Sequence, residues 1–414
     1  MLVNVDFHIH GKYSGGTSES MTLDKIAEQG GLKGLDIIGT GDALHKGWIK
    51  HIKELLAEEN DGIYSLKFQA LGKRHSKFII QTEVEDLNRV HHVILFPSLE
   101  AAESLRETLL RYSKDIDEDG RPHISLTGEE LVDLSKEVDA MLGPAHAFTP
   151  WTSLYKEFDS MKECYRDKTK DVKFIELGLS ADTYMADRIS ELQDVTFMSN
   201  SDTHSPWPHR LGREFNRLEL KDLSFKDIKK AILHKNGRKF VLNVGLNPKE
   251  GKYHLTACTR CHLKFKIKDA IALKFRCPEC GGIIKKGVLD RIEEISTWKK
   301  PRHPWHRPKY VHIIPLAEVI GLAYNIKTIN SKRIKNKWLK LVKTFGSEIE
   351  VLLDAEIAEI KKVDAKVADI ISRFREERIK YVSGGGGKYG YPVLKNEKDV
   401  FWHPSQQKSL REFY

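Results

Sequence analysis

The sequence predicts an α/β protein: a seven-stranded βα barrel, then a cysteine-knuckled ribbon, then a small helical region. Three observations carry this. Seven short apolar runs recur over the first 240 residues, most separated by amphipathic stretches. A single C-x2-C-x15-C-x2-C pattern follows at Cys258, Cys261, Cys277 and Cys280. The charge also changes sign along the chain: residues 1–235 hold 31 Lys+Arg against 40 Asp+Glu, and the rest hold 37 against 19.

The runs are, in order, Leu2–Ile9, Leu35–Thr40, Phe78–Thr82, His92–Phe96, Ala140–Ala145, Phe174–Leu177 and Val195–Ser199. Stretches such as Leu105–Tyr112 and Glu129–Val138 have helical spacing between them, which argues for parallel βα units. In the first run Val3, Val5, Phe7 and Ile9 share one face, and Asp6, His8 and His10 the other. The 414 residues are 40% hydrophobic and 31% charged, enough for two to three domains of about 150 residues. No apolar run reaches 18 residues, so no transmembrane helix is expected. Five cysteines exclude a secreted disulfide scaffold, and the expected location is the cytoplasm.

The residues closing these runs carry the chemistry. His8 and His10 close the first, Asp42 the second and Glu83 the third, and the pair His91-His92 opens the fourth. His146 closes the fifth, Glu176 lies in the sixth, and Asp202 and His204 follow the seventh. Strand ends of a βα barrel converge on one mouth. Imidazoles and carboxylates gathered there suit Zn, Mn or Mg with positions open for water and substrate. One such residue would be an ordinary buried histidine or a capped turn; one from each of seven runs is a metal site.

Asp-Phe-His-Ile-His at 6–10, Gln-Thr-Glu at 81–83, Gly-Pro-Ala-His at 143–146 and Asn-Ser-Asp-Thr-His at 200–204 resemble the PHP (polymerase and histidinol phosphatase) superfamily. The resemblance implies a distorted seven-stranded βα barrel, the PHP fold, with two to three divalent metals (Zn, with Mg or Mn also able to support activity). Carried over by motif, His8, His10, Glu83 and Asp202 hold one metal, and Glu83 bridges to a second completed by His92 and His146. Asp42 and His204 hold a third. His92 is preferred to His91 because it starts the apolar run. The chain departs from the family at Gly15-Gly16, where an Asp is usual, and at Thr40-Gly41-Asp42, where Thr-Asp-His is usual; Asp42 stands as the substitute ligand. Asp6, Glu176 and Asp202 are the catalytic candidates, the first two orienting ligands or moving protons. Such a site suits phosphoester hydrolysis by metal-activated water.

The cysteine spacing after residue 240 suits a structural zinc of ribbon type, a disulfide pair being the alternative. Residues 351–378 resemble a degenerate helix-hairpin-helix, with Val363-Asp364-Ala365 where Gly-x-Gly is usual; a plain helical hairpin is the alternative. Lys361, Lys362 and Lys366 there, and Gly385, Gly386, Lys388 and Tyr389 in the glycine run, are candidate DNA contacts, against solvated lysines and a flexible linker. Gln407, Leu410, Phe413 and Tyr414 resemble the peptide that binds the PCNA sliding clamp.

This combination is similar to the archaeal endonuclease Q family over essentially the whole chain. The resemblance implies nicking of DNA on the 5′ side of deaminated bases (hypoxanthine, uracil, xanthine) and abasic sites, with the base flipped out. Trp151, Ser180 and Trp207, in loops after the fifth to seventh runs, are candidates for the base pocket. The implied organisation is a catalytic barrel over 1–240, a zinc ribbon over 241–298, a basic connection over 299–345, the hairpin and glycine loop over 346–404, and the clamp peptide over 405–414. The implied partners are damaged DNA and the clamp, with no membrane. The competing reading is a small-molecule phosphatase of the histidinol-phosphate kind with an accessory zinc domain. A catalytically dead, clamp-bound DNA-binding factor is the third.

Overall fold

The computed structural model describes residues 1–68, 74–394 and 398–402. Every apolar run of the first half contains a strand, but the strands form three sheet segments, joined edge to edge into a barrel that is only partly parallel. The largest has eight strands, in the order Lys309–His312, Lys239–Gly245, Phe215–Glu219, Leu2–Asp6, Ile37–Gly39, Lys77–Ile79, Ile63–Leu66 and Leu56–Asn60. Leu2–Asp6, Ile37–Gly39 and Lys77–Ile79 are parallel neighbours, as βα units require. Gln81–Glu85, His91–Leu95 and Met141–Pro144 form an antiparallel segment, and Phe174–Glu176 and Thr196–Met198 a parallel pair. The first antiparallel pair corrects the expected topology for a local reason. Only a short turn separates its strands, whereas a parallel crossover needs about a dozen residues. Asp86 sets that turn, its Oδ1 accepting from the Asn88 and Val90 N–H groups at 2.8 Å.

Backbone hydrogen bonds join the segments where the site is built. Phe96 N–H donates to Ile80 at 2.9 Å, Ala147 N–H to Glu176 at 2.9 Å, and Asp202 N–H to His8 at 3.0 Å. Inside lies an apolar cluster of Val3, Val5, Phe7, Ile79, Val93, Leu95, Phe174 and Met198, plugged by Phe225, Ile228 and Ile232 of helix Phe225–Ile232. Burying these side chains drives the closure.

The expected boundary at residue 240 falls inside a strand. Lys239–Gly245 pairs with Phe215–Glu219, and Lys309–His312, from the expected connecting region, pairs beside it in parallel. Residues 302–307 are strapped onto the barrel by the buried Asp187 carboxylate, which accepts from Arg307 Nε at 3.0 Å and faces His303 Nδ1 at 2.6 Å.

In the ribbon, Ala257–Cys258 pairs antiparallel with Ile284–Lys285. The glycine run is its second layer. Leu255 N–H donates to the Gly384 carbonyl at 3.0 Å, and a Cβ on Gly386 (φ +61°) would stand 2.2 Å from the Cys258 carbonyl oxygen. Gly385 and Gly386, expected at a phosphate backbone, are therefore buried against 255–258 because only glycine permits that approach. Lys388 and Tyr389 are exposed.

The C-terminal helices are Leu316–Tyr324, Lys332–Phe345, Ile357–Val363 and Ala365–Arg375. Asp364 alone joins the last two and caps the second, accepting from Val367 N–H at 3.2 Å. Lys361, Lys362 and Lys366 are exposed around that turn. The helices are fixed to the barrel by a buried ion pair, Lys33 Nζ to Glu348 Oε1 at 2.6 Å. The residues resembling a clamp peptide lie outside the described residues. No described helix is long and apolar enough to cross a membrane.

Candidate metal centre

Two groups of metal-competent side chains meet at the mouth. His8, His10 and Asp202 form one, and Glu83, His91 and His146 the other, each with ligand atoms within 4.8 Å of one another. In the first, His10 Nε2 lies 3.1 Å and His8 Nε2 3.7 Å from Asp202 Oδ1. In the second, Glu83 Oε1 lies 3.0 Å from His91 Nδ1 and 3.1 Å from His146 Nε2. Glu83 reaches both, because its Oε2 is 3.3 Å from His10 Nε2. His146 and Asp202 hold positive φ, 28° and 46°, a left-handed backbone that side chains adopt at a cost and that is common at functional sites.

Each imidazole is oriented by a partner on its other nitrogen. His8 Nδ1 faces Glu176 Oε2 at 2.7 Å, His10 Nδ1 faces Ser14 Oγ at 3.0 Å, and His91 Nε2 faces Glu85 Oε2 at 2.9 Å. His146 Nδ1 faces Thr149 Oγ1 at 3.2 Å. This is how metal-binding histidines are held. Two of the inward atoms, His8 Nε2 and Glu83 Oε2, are buried without a hydrogen bond. Burial disfavours charge on His8, yet Glu176 and Glu83 beside it hold its pKa well above the ordinary value. The donor set and its unpaired inward atoms fit divalent cations.

The geometry changes several expectations. His91, not His92, stands with Glu83. In the antiparallel register Glu85 faces His91 and Val84 faces His92, so His92 points to the opposite face. There it meets Asp86 Oδ2 at 3.2 Å and the Tyr165 hydroxyl at 3.1 Å. Asp42 joins neither group. Its carboxylate accepts from the Tyr13 and Ser14 N–H groups at 3.2 and 3.1 Å and from Ser14 Oγ at 2.6 Å, and so steadies His10 through Ser14. His204 stacks on His10 with centroids 4.3 Å apart and keeps Nε2 3.9 Å from Asp202 Oδ1. Asp6 is turned away from the mouth and accepts from Ser201 and Gly212 N–H at 3.0 and 3.1 Å, pinning the loop that carries Asp202. Burial raises its pKa to about 6.

A cavity of about 360 Å³ opens beside these groups. Trp151, Ser180 and Glu176 line it, together with Tyr253 and Tyr389 from the ribbon side. Trp207 does not; it borders a separate groove near Trp338, with Lys25 Nζ 5.5 Å above its ring. Arg121 and Tyr253, which no sequence motif marks, also border the cavity, as does His91, which the sequence places second to His92. For His91 a signal existed, since the short turn after Glu85 fixes the parity of the next strand.

The four cysteines form a second, separate centre. Cys258 and Cys280 sulfurs are 3.4 Å apart and Cys261 and Cys277 3.7 Å apart. Tetrahedral zinc with bonds of about 2.3 Å sets sulfurs roughly 3.8 Å apart. These separations fit zinc and are far too long for a disulfide.

Residues 315–378 match the MJ0043 C-terminal domain family. The chain is 51% identical over 263 residues to the uncharacterized protein MJ0043 of Methanocaldococcus jannaschii, covering 62% of this chain but only 32% of that protein. It is 32% identical to the uncharacterized protein YqxK of Bacillus subtilis, covering 94% of this chain and 98% of that protein. Among solved structures, the lesion-specific endonuclease PfuEndoQ of Pyrococcus furiosus matches with a TM-score of 0.90 and 48% identity, over 96% of both chains. The chain belongs to the endonuclease Q family. A second endonuclease Q structure, solved with a 27-mer duplex carrying an abasic lesion at the active site, matches with a TM-score of 0.89 and 47% identity, over 96% of this chain and 97% of that one. Both endonuclease Q matches span the barrel, the ribbon and the C-terminal helices together.

Proposed function

We propose that this chain is a metal-dependent, lesion-specific DNA endonuclease that hydrolyses the phosphodiester 5′ to deaminated bases (hypoxanthine, uracil, xanthine) and abasic sites. The observation that carries this reading is the cavity shared by barrel and ribbon. One wall presents His91, His146 and Asp202 of the two ligand groups, and another holds Trp151, Tyr253 and Tyr389. That pairing of a hydrolytic centre with an aromatic recess suits an unstacked nucleotide beside its own phosphate. The endonuclease Q structure with an abasic duplex at its active site supports the same substrate class.

His8, His10 and Asp202 would hold one cation and His91 and His146 the second, with Glu83 between them. When bound, such a pair polarises the phosphoryl oxygens and supplies a water nucleophile at neutral pH. The chain's own residues do the rest. Glu176 fixes the His8 ring, Ser14 and Asp42 fix His10, and Glu85 fixes His91. Trp151 and Tyr253, with ring centroids 6.2 Å apart, offer stacking faces to an extruded nucleotide. Lys285 Nζ, 3.7 Å above the Trp151 ring, brings positive charge to the same rim. Lys361, Lys362, Lys366 and Lys388 contribute non-specific phosphate contacts. Residues 407–414 deliver the enzyme to the sliding clamp.

The test is a 5′-labelled duplex with one deoxyinosine, beside an undamaged duplex and p-nitrophenyl phosphate, with Mg, Mn or Zn. Wild type should give one nick 5′ to the lesion, leaving a 3′-hydroxyl, and Asp202→Asn should give none. Cleavage of p-nitrophenyl phosphate alone would replace this reading with the small-molecule phosphatase.

A further inference from the structure

The third-cation position implied by the superfamily resemblance is built differently in this chain. Both Asp42 oxygens are committed to the Tyr13–Ser14 segment. The loop after Asp115 is laid directly on that carboxylate: a Cβ at Gly120 would lie 2.2 Å from Asp42 Cγ and 2.3 Å from its Oδ2. Gly120 N–H also donates to the Tyr13 carbonyl at 3.1 Å, closing the contact. Backbone thus covers the oxygens that would face an ion, and His10 Nδ1 is taken by Ser14.

The same turn delivers an arginine to the mouth. Asp119 Oδ1 accepts from the Arg121 N–H at 2.9 Å and sets the turn. The Arg121 side chain then lines the cavity, with Nη1 3.5 Å from Glu83 Oε2, and its Nε is buried without a partner. A guanidinium offers five donors in a planar fork that matches two phosphate oxygens. One long ion pair leaves most of that fork unused. Arg213 also reaches the cavity, but its Nε already donates to the Ser201 carbonyl at 3.1 Å.

We propose that Arg121 binds the non-bridging oxygens of the scissile phosphate, acting as a permanent cation in place of a third metal ion. The proposal rests on the phosphodiester-hydrolase reading above. Charge builds on those oxygens as the attacking oxygen bonds to phosphorus, and a fixed cation there stabilises the transition state without reorganising. Glu83 holds the guanidinium on one side, so the residue between the two ligand groups also aims the arginine.

The test compares binding in a non-cleaving Asp202→Asn background. Two abasic duplexes are used, one native and one with a neutral methylphosphonate at the linkage 5′ to the abasic site. The chain with Arg121 should bind the neutral duplex about tenfold more weakly, while Arg121→Gln should bind the two within about twofold. An Arg121→Gln chain that discriminates like its parent would overturn the proposal. If Arg121→Gln does not fold, Arg121→Lys carries the test, because a point charge without the fork should lower the discrimination and an unchanged value overturns it. Metal analysis of wild type should give two ions beyond the ribbon zinc, and a third would also overturn it. Loss of any preference for abasic over undamaged duplex in the parent would overturn the endonuclease reading. Intact preference with unchanged methylphosphonate discrimination would overturn Arg121 alone.

Discussion

At the scale of single residues, the metal centre turns on which nitrogen faces which oxygen. His91 and His92 are adjacent, equally polar and both buried, yet only His91 meets Glu83. His91→Ala should therefore lower nicking by more than the 10–100-fold typical of losing an outer partner, and remove metal measured by elemental analysis. His92→Ala should leave the metal content unchanged and act through stability, since its ring is wedged between Asp86 and Tyr165. Equal metal loss in both variants would contradict the register. Glu214 makes a second prediction. It is fully buried, Oε1 accepts from Leu246 N–H at 3.0 Å, Oε2 has no partner, and burial raises its pKa from 4.5 to about 8. A carboxyl whose folded pKa is raised favours the fold fully below its unfolded pKa, and that contribution is lost as pH rises toward the folded value. The melting temperature of Glu214→Gln relative to wild type should climb between about pH 4.5 and 8; a difference independent of pH would show that the carboxyl stays neutral or is solvated.

At the scale of elements, the sequence was legible where chemistry has a fixed spacing and opaque where it depends on register or on distant contacts. The four cysteines gather in one group, and at the mouth His8, His10 and Asp202 gather in a second and Glu83 and His146, with His91, in a third. Asp42 reads as a ligand because a carboxylate at a strand end looks the same in sequence whether it faces a cation or a row of N–H groups, whereas Asp6 orients Asp202 through the loop that carries it. Phe215–Glu219 pairs with Leu2–Asp6, more than 200 residues away, and Lys239–Gly245 pairs in turn with Phe215–Glu219, so no local pattern announces either strand. In sequence the glycine run reads as a phosphate-wrapping or base-stacking loop or a linker, but in the structure its steric freedom serves the approach to 255–258. Gly386→Ala should consequently destabilise the ribbon, as a positive-φ glycine lying against backbone. Proteolysis near 255–285 would report it, and unchanged resistance would refute the packing role. Cys261→Ser should reduce the bound zinc by one ion per chain and, by loosening the ribbon wall that carries Tyr253, weaken lesion binding.

At the scale of the whole molecule, the two halves with opposite charge are one structure. Lys33 and Glu348 meet in a buried pair, with Glu348 also accepting from Leu316 N–H at 3.0 Å and from Trp338 Nε1. Lys33→Met leaves that carboxylate buried without its cation and should cost about 3–5 kcal/mol in chemical denaturation; a change under about 1 kcal/mol would mean water reaches Glu348. The strap at 302–307 and the strand Lys309–His312 tie the ribbon and the helices to the barrel. The cavity draws on these distant parts, with Trp151 and Ser180 from the barrel, Tyr253 beside the ribbon and Tyr389 from the glycine loop. No single stretch of sequence encodes that recess, which explains why its ligand-bearing wall was legible and its aromatic wall only partly so. The measurement that tests the account most directly is single-turnover nicking of an abasic duplex by wild type and by Glu83→Gln, with bound metal counted in the same samples. Wild type should make one cut 5′ to the lesion, and Glu83→Gln should be slower by well over a hundredfold, with reduced metal occupancy. Cleavage at the wild-type rate by Glu83→Gln would contradict it.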